Sequence, residues 1–357
     1  MRPTQSLLLL LLGGTLAACG GQAASNSSVG STSTSAAAQT PASLTPVAAS
    51  NSAAASTSAS GQPAASGAIT VYGALTQENG DAFARDFQAL PGGAKVNMVV
   101  GGTGVLLSRI AAEQKAGGVK ADVLLLADPT AMAGFQADGL LADYQPKDAA
   151  QLPAGMRGPG WNGAFTFNNV ILNHKGMASP PKDWADLKNP AYKGAVEIGD
   201  PAPSGTTLSM VDVLSRQLGW DYFRALRGQD ARVVASTNTV GTDIAGGQMQ
   251  VGISLDSVGR DLIKKGSPVE MVWPTSGAIP VPAPVALVKG HDSAMARAFA
   301  DWLVSPAGQA EAVKLGYAPA YGPSDAIPAG AKQVAVNFDQ VAKDRDSTLG
   351  TFKSIFG

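Results

Sequence analysis

Two long extended passages constrain the fold of this chain more than any other feature. "GAFTFNNVILNHK" spans 163–175 and "AIPVPAPVALVKG" spans 278–290. Both are longer than an ordinary strand. Around them, short apolar runs alternate with amphipathic ones. "AITVYGAL" (68–75), "KVNMVV" (95–100) and "ADVLLLAD" (121–128) read as buried strands. "ENGDAFARDFQAL" sets Phe83, Phe87 and Leu90 at helical spacing, "VLLSRIAAEQKAG" is amphipathic, and "PTAMAGFQADGLL" opens with Pro129 in its first turn. Such alternation predicts a mostly parallel sheet, with ligand sites at the carboxyl ends of its strands. Between the long passages the sequence predicts a short helix at 184–187, strands at 195–198, 251–254 and 269–273, and a helix at 208–218. Helices are predicted again at 293–303, 307–315 and 337–356. The fold class expected is α/β, with two lobes joined by two crossing strands.

A chain of 357 residues is long enough for two such lobes. The net charge of -1, without any basic run, gives no reason to expect a nucleic-acid partner. Cys19 is the single cysteine, so neither an intrachain disulfide nor a thiolate cluster can form.

The N-terminus accounts for that cysteine. Met1-Arg2 is followed by an unbroken leucine run at 7–12, about the length of a signal-peptide core and too short to span a bilayer. It leads into "LAAC" (16–19), which resembles a bacterial lipobox, with Cys19 as the lipidated residue. An ordinary secretory signal with an incidental cysteine is the alternative. Residues 20–67 are almost entirely Ala, Ser, Thr, Gly, Gln, Asn and Pro. Such a composition cannot bury enough apolar surface to order itself, so a flexible tether is expected.

The stretch "GDPAPSGTTLSMV" (199–211) carries the chief site expectation. Asp200-Pro201 and Pro203 stiffen the approach to a helix that starts at Ser204-Gly205-Thr206-Thr207. A helix start leaves N–H groups without intrahelical acceptors and carries the positive end of the macrodipole. A glycine there lets a ligand reach the backbone. The motif suits an oxyanion, although an ordinary N-cap has the same letters. Gly101-Gly102-Thr103-Gly104 repeats the arrangement elsewhere, with a plain strand-to-helix turn as its alternative. Tyr72 to Thr76, including Leu75, follow the first strand and are expected on the same cleft, Tyr72 being equally suited to the core. Asp128 closes the third strand and joins the candidates. Asp256 follows the strand at 251–254; it could contact an ammonium or hydroxyl of a ligand, or cap a helix.

Several words resemble one family: "GGTGVLLSRI", "ADVLLLADPTAMAGFQADGLL", "PPKDWADLKNPAYKGAVEIGDPAPSGTT", "GQMQVGIS", "GSPVEMVWPTSG" and "AFADWLVSPAGQAEA". These are similar to the extracellular solute-binding proteins of ABC importers, in the ferric-iron-type and phosphonate-type branch. The resemblance runs from about residue 68 to the C-terminus. It implies the periplasmic-binding-protein type II fold, two α/β lobes closing over one solute and delivering it to a membrane permease. The layout then expected is a signal peptide at 1–18, a lipidated tether at 19–67, one lobe at 68–165 with 280–325, and a second at 166–279 with 326–357. A monomer outside the cytoplasm, without cofactor, catalytic residues or structural metal, completes the expectation.

The residues argue against iron as the solute. Iron binders of this family carry adjacent tyrosines after the strand matching 251–254, where this chain has Leu255-Asp256-Ser257. Its six tyrosines, 72, 144, 192, 222, 317 and 321, include no adjacent pair. His174 and His291 read as surface residues. "WPTSG" (273–277) has Ser276 where many relatives have an acid, which again favours an anion. The expected solute is a small organic anion of phosphonate or sugar-phosphate type, with ferric iron or another metal as the alternative. "GPGWNG" (158–163) matches a dinucleotide pattern in letters only, because no strand precedes it and no helix follows. Trp161 within it suits either a cleft wall or the core. No G-x-S-x-G or H-E-x-x-H supports a hydrolase. A sensor binding the same solute stays open.

Overall fold

The computed structural model describes residues 67–357. The expected signal peptide, Cys19 and all but the last residue of the expected tether lie outside the described residues.

Three parallel strands, β1 (Ile69–Gly73), β2 (Val96–Val100) and β3 (Val123–Leu125), stand in the order β2-β1-β3. Each feeds a helix: α1 (Gln77–Gln88), α2 (Thr103–Lys115) and α3 (Pro129–Ala137). The two-residue β4 (Arg157–Gly158) then leads into β5 (Trp161–His174), the first long passage, which is 14 residues long. The second lobe continues with β6 (Val196–Gly199), α4 (Gly205–Leu218), α5 (Trp220–Gly228), β7 (Arg232–Val234), α6 (Thr237–Ala245), β8 (Val251–Leu255), α7 (Asp256–Lys264) and β9 (Val269–Val272). The chain returns along β10 (Ile279–Leu287), forms α8 (Ala294–Val304), α9 (Pro306–Lys314) and β11 (Ala318–Pro319), and ends in α10 (Phe338–Phe356).

The strands join in the order β2-β1-β3-β10-β5-β8-β6-β7. β10 and β5 run antiparallel to one another through the middle. β10 continues the first lobe by pairing with β3, and β5 continues the second by pairing with β8 and β9. These are the two crossing strands of the expected two-lobed fold. The prolines of β10 agree with that position. Alternate residues of an antiparallel strand turn their N–H groups to opposite edges. Pro280 and Pro282 therefore lack donors on one edge only, and Ile279, Val281 and Ala283 keep theirs for β5. The proline edge is the one that β3 leaves uncovered, since β3 pairs only with 285–287.

Apolar side chains form separate cores on the two faces of each lobe. In the first lobe Phe83, Phe165 and Tyr317 stack, with ring centroids 5.8 Å apart for the first two and 4.2 Å for the last two. On the opposite face Leu106 and Ile110 of α2 pack on Leu124 and Leu126. The second lobe buries Trp184, Tyr222 and Phe223 on one face and Val170, Leu172 and Ile244 on the other. Fully burying one such side chain contributes roughly 1.5–3 kcal/mol. Each lobe therefore carries a core of its own.

The second lobe holds α5, β7 and α6 beyond what the sequence signals. β7 is three residues long, and α6 reads "TNTVGTDIA", rich in residues of weak helix propensity. Tertiary packing of Val240 and Ile244 holds that helix. Gly219, at φ 75°, turns the chain sharply from α4 into α5.

Candidate functional site

Each lobe carries three strand-to-helix turns at the carboxyl ends of its parallel strands. β1, β2 and β3 deliver the starts of α1, α2 and α3; β6, β7 and β8 deliver those of α4, α6 and α7. The carboxyl ends of parallel strands are where such folds bind ligands.

At α4, Ser204 is the N-cap, and its hydroxyl accepts from the Thr207 N–H at 3.3 Å. The Thr206 and Thr207 hydroxyls lie 3.1 and 3.0 Å from the same oxygen. Thr206 and Thr207 are buried, while Ser204 is half-buried. The start of α2 differs. Its N-cap is Gly102, exposed and without any side-chain cap, and Thr103 behind it is buried. The first lobe's third helix is capped by Asp128, whose Oδ1 accepts from the Thr130 N–H at 2.9 Å, the Thr130 hydroxyl at 2.6 Å and the Ala131 N–H at 3.3 Å.

The α2 and α4 starts meet directly. The Gly104 N–H donates to the Pro203 carbonyl at 2.9 Å. A Cβ placed on Gly104 would stand 2.8 Å from the Pro203 Cα. A Cβ on Gly205 would stand 2.3 Å from the Asp128 Cβ and 2.8 Å from the Ala127 carbonyl oxygen. Both glycines are therefore required by close approach of the opposite lobe. Behind this junction Asn169 of β5 is fully buried and donates to the Thr206 and Ile279 carbonyls, each at 3.2 Å. One amide thus ties the first turn of α4 to both crossing strands.

Other sequence candidates fall elsewhere. Tyr72 is fully buried in the core beneath α2, where its hydroxyl donates to Glu113 at 2.6 Å and accepts from Arg109 at 2.9 Å. Burial, followed by the Glu113 carboxylate, pushes its phenol pKa up. Tyr72 belongs to the core and not to the cleft, because alternate residues of a strand face opposite sides of the sheet. Leu75 is half-buried against the same lobe's other core, and exposed Thr76 caps α1 by accepting from the Asn79 N–H at 3.3 Å. Trp161 is also a core residue.

Asp256 is corrected too. It is fully buried, and its oxygens accept from the Asn168 N–H at 2.9 Å, the Asn168 amide at 2.8 Å, the Ser257 N–H at 2.9 Å and the Arg260 guanidinium. Burial pushes this carboxyl up, and the Arg260 charge and the Asn168 donors pull it back. A carboxylate with four donors has little left for a solute. Its work is to aim Arg260, which donates to the carbonyls of Gly316 at 2.9 Å and Ala326 at 2.6 Å, beside the first lobe's β11.

Sequence reasoning missed Ser236, Asn169 and Arg345. Ser236 caps α6 by accepting from the Thr239 N–H at 3.1 Å. Its signal was present: "STNT" (236–239) repeats the Ser-x-x-Thr pattern of "SGTT" (204–207). Arg345 of α10 reaches the Asp128 Oδ2 at 3.3 Å, a pairing over 217 positions that no local pattern could announce.

Among the described residues no group of three or more His, Cys, Asp or Glu is arranged to hold a metal. A shallow depression of about 450 Å³ lies among Ser179, Pro181, Lys182 and Asn189 on the second lobe. Its lining is mostly exposed, and the chemistry of the helix starts marks the junction between lobes as the better candidate.

Comparison with known proteins agrees with this architecture. Residues 69–318 match the family described as bacterial extracellular solute-binding protein. The chain belongs to that family. A "probable ABC transporter periplasmic-binding protein" of Sinorhizobium fredii is 29% identical over 290 residues, covering 73% of this chain and 79% of the relative. The phosphoglycerate transport regulatory protein PgtC of Salmonella typhimurium is 27% identical over 199 residues, which is 53% of this chain and 50% of that protein. This chain thus matches about half the length of the Salmonella relative. Among solved structures, the periplasmic binding protein AfuA of Actinobacillus pleuropneumoniae, with exogenous fructose-6-phosphate bound, superposes with a TM-score of 0.71 at 22% identity, covering 81% of this chain and 98% of that one. Iron-bound HitA of Pseudomonas aeruginosa gives 0.68 at 19% identity, covering 81% and 99%. The shared fold is the two-lobed periplasmic-binding-protein type II fold. The family consists of solute-binding proteins of ABC transporters rather than enzymes, and works outside the cytoplasm. Among the described residues no helix is long and apolar enough to cross a membrane.

Proposed function

We propose that this chain captures a small phosphorylated organic anion between its lobes and presents it to an ABC permease. The observation that carries the reading is the meeting of the α2 and α4 starts from opposite lobes. The Gly104 N–H takes an oxygen acceptor from across the gap, the Pro203 carbonyl. An oxyanion offers the same oxygen with more charge, at the positive ends of two helices. Charged hydrogen bonds contribute roughly 1.5–3 kcal/mol each. Three or four would supply much of a micromolar affinity, about 8 kcal/mol. Ser204, Gly205, Thr206, Thr207, Gly102 and Thr103 are the proposed ligand residues. The sugar phosphate named for AfuA and the phosphoglycerate named for PgtC are solutes of this chemical kind.

The ferric alternative lacks phenolates in the gap. Tyr144, Tyr192 and Tyr321 donate to protein oxygens, Tyr72 is held by Glu113 and Arg109, Tyr317 accepts from Asn79, and Tyr222 is buried in the second core. The fuller picture proposed is a monomer anchored through lipid on Cys19, with a tether at 19–67 and lobes divided as the sequence suggests.

Thermal shift with fructose 6-phosphate, 3-phosphoglycerate, a simple alkylphosphonate and ferric citrate tests the reading, since a solute that binds the native state raises Tm by mass action. A rise with a phosphorylated compound supports it. A rise with ferric citrate alone, accompanied by a tyrosinate charge-transfer band, overturns it.

A further inference from the structure

We infer that Arg345, on the C-terminal helix, is a positioning residue that holds the lobes together at the cleft by gripping the buried Asp128 at the start of α3. The inference rests on the two-lobed fold and on closure of the lobes, not on the identity of the solute.

Helix α10 is built into the second lobe. Phe352 packs on Phe223 of α5 with centroids 5.9 Å apart. Arg216 of α4 pairs bidentately with Asp212, at 2.9 Å on both oxygens, and also with Asp344 of α10. The next residue turns the other way. Arg345 Nη1 stands 3.3 Å from Asp128 Oδ2 and 3.4 Å from the Thr130 hydroxyl, both at the first turn of α3 in the first lobe. Two consecutive residues thus pair with opposite lobes.

Asp128 is the right target for such a grip. Its Oδ1 is committed to capping α3, and Oδ2 is left for Arg345. The carboxylate is buried, with 1% of the side chain exposed against 30% for Arg345. Separating the pair would leave a charge in a low-dielectric setting without its partner. The Asp128 side chain is also the surface against which Gly205 packs. Arg345 therefore acts on the α4 start through Asp128 and touches no solute itself. Arg260 of the second lobe likewise reaches the first, through the Gly316 carbonyl. Both arginines make contacts across the lobes, and removal of either shifts the balance between closed and open arrangements.

The test is a distance measurement between spin labels on the full chain carrying Cys19→Ser. Reporter cysteines at Lys115 and Arg227, both exposed, place one label on α2 and one on α5. Arg345→Ala is expected to add a longer-distance component, Arg345→Lys to restore most of the short one, and Asp128→Asn to reproduce the alanine result. The Arg345→Ala and Asp128→Asn double variant should match either single variant. Circular dichroism and Tm report folding separately, and should Arg345→Ala fail to fold, the Lys and Asn variants carry the comparison. An unchanged distance distribution in folded Arg345→Ala or in Asp128→Asn overturns the inference. So does a lysine variant that opens as far as the alanine one. None of these outcomes bears on which solute binds.

Discussion

Gly205 lies so close to Asp128 that a methyl group cannot be placed between them: its Cβ would stand 2.3 Å from the aspartate Cβ. Asp128 is anchored by three donors from α3, so it cannot turn aside. Overpacking in a fixed setting costs about 1–3 kcal/mol. Here the strain has an outlet, because the crowded atoms belong to different lobes. Gly205→Ala is expected to separate the lobes and lose most of its cost in doing so. Urea unfolding should then shift by less than about 1 kcal/mol, at the low end of that range, while the Tm rise given by the bound solute falls sharply. A full destabilisation with undiminished solute response would contradict this.

Ser204 and Thr206 are expected to contribute chiefly to binding. At roughly 1.5–3 kcal/mol for each hydrogen bond to a charged group, Ser204→Ala with Thr206→Ala should weaken solute affinity by about 10²–10⁴-fold. Ser204→Ala also removes an N-cap, at a cost of about 1 kcal/mol. Calorimetric titration separates the two effects from denaturant unfolding. Unaltered affinity would remove this loop from the site.

Asp256 is expected to behave in the opposite way. Asp256→Ala leaves Arg260 without its buried partner, for which about 3–5 kcal/mol of stability is the usual loss. Asp256→Asn keeps the shape and one acceptor and should lose less. Urea midpoints order the three proteins, and a direct solute contact would instead appear as lost affinity in a stable Asn variant.

Asp344 gives a pH dependence with a definite sign. The Gln340 amide lowers its pKa most, burial opposes this, and the Arg216 guanidinium lowers it further. A carboxylate depressed in the folded state adds stability above its unfolded value, near 3.9, and loses it as pH falls through the folded value. Wild type is therefore expected to melt above Asp344→Asn at pH 7, with the gap closing below about pH 4. A gap that persists in acid would assign the effect of the substitution to packing.

How much of this was legible beforehand depends on the range of the interactions concerned. The strand and helix alternation of the first lobe is local, written in apolar spacing and in glycine punctuation, and the two long passages are conspicuous by length. The Ser204 cap is local as well. Tyr72 could not be placed, since one strand residue differs from the next only in the face it takes. Asp256 looked like a ligand contact because its partner Asn168 is 88 positions away. Short β7 and α6 carry too few residues to announce themselves and are held by packing. The Arg345 pairing needs the entire fold before its two ends meet.

The route of β5 through the middle of the sheet has a further consequence for how the molecule comes apart. This one strand pairs through 161–169 with β10, β4 and β11 and through 169–174 with β8 and β9, so one unbroken strand runs from one lobe's ladder into the other's. Melting either lobe would free one end of a strand whose other end the second ladder still holds. Domains strung on a flexible linker unfold one at a time; this body should give way in a single cooperative step, with the amides of 163–173 among the last to exchange with deuterium.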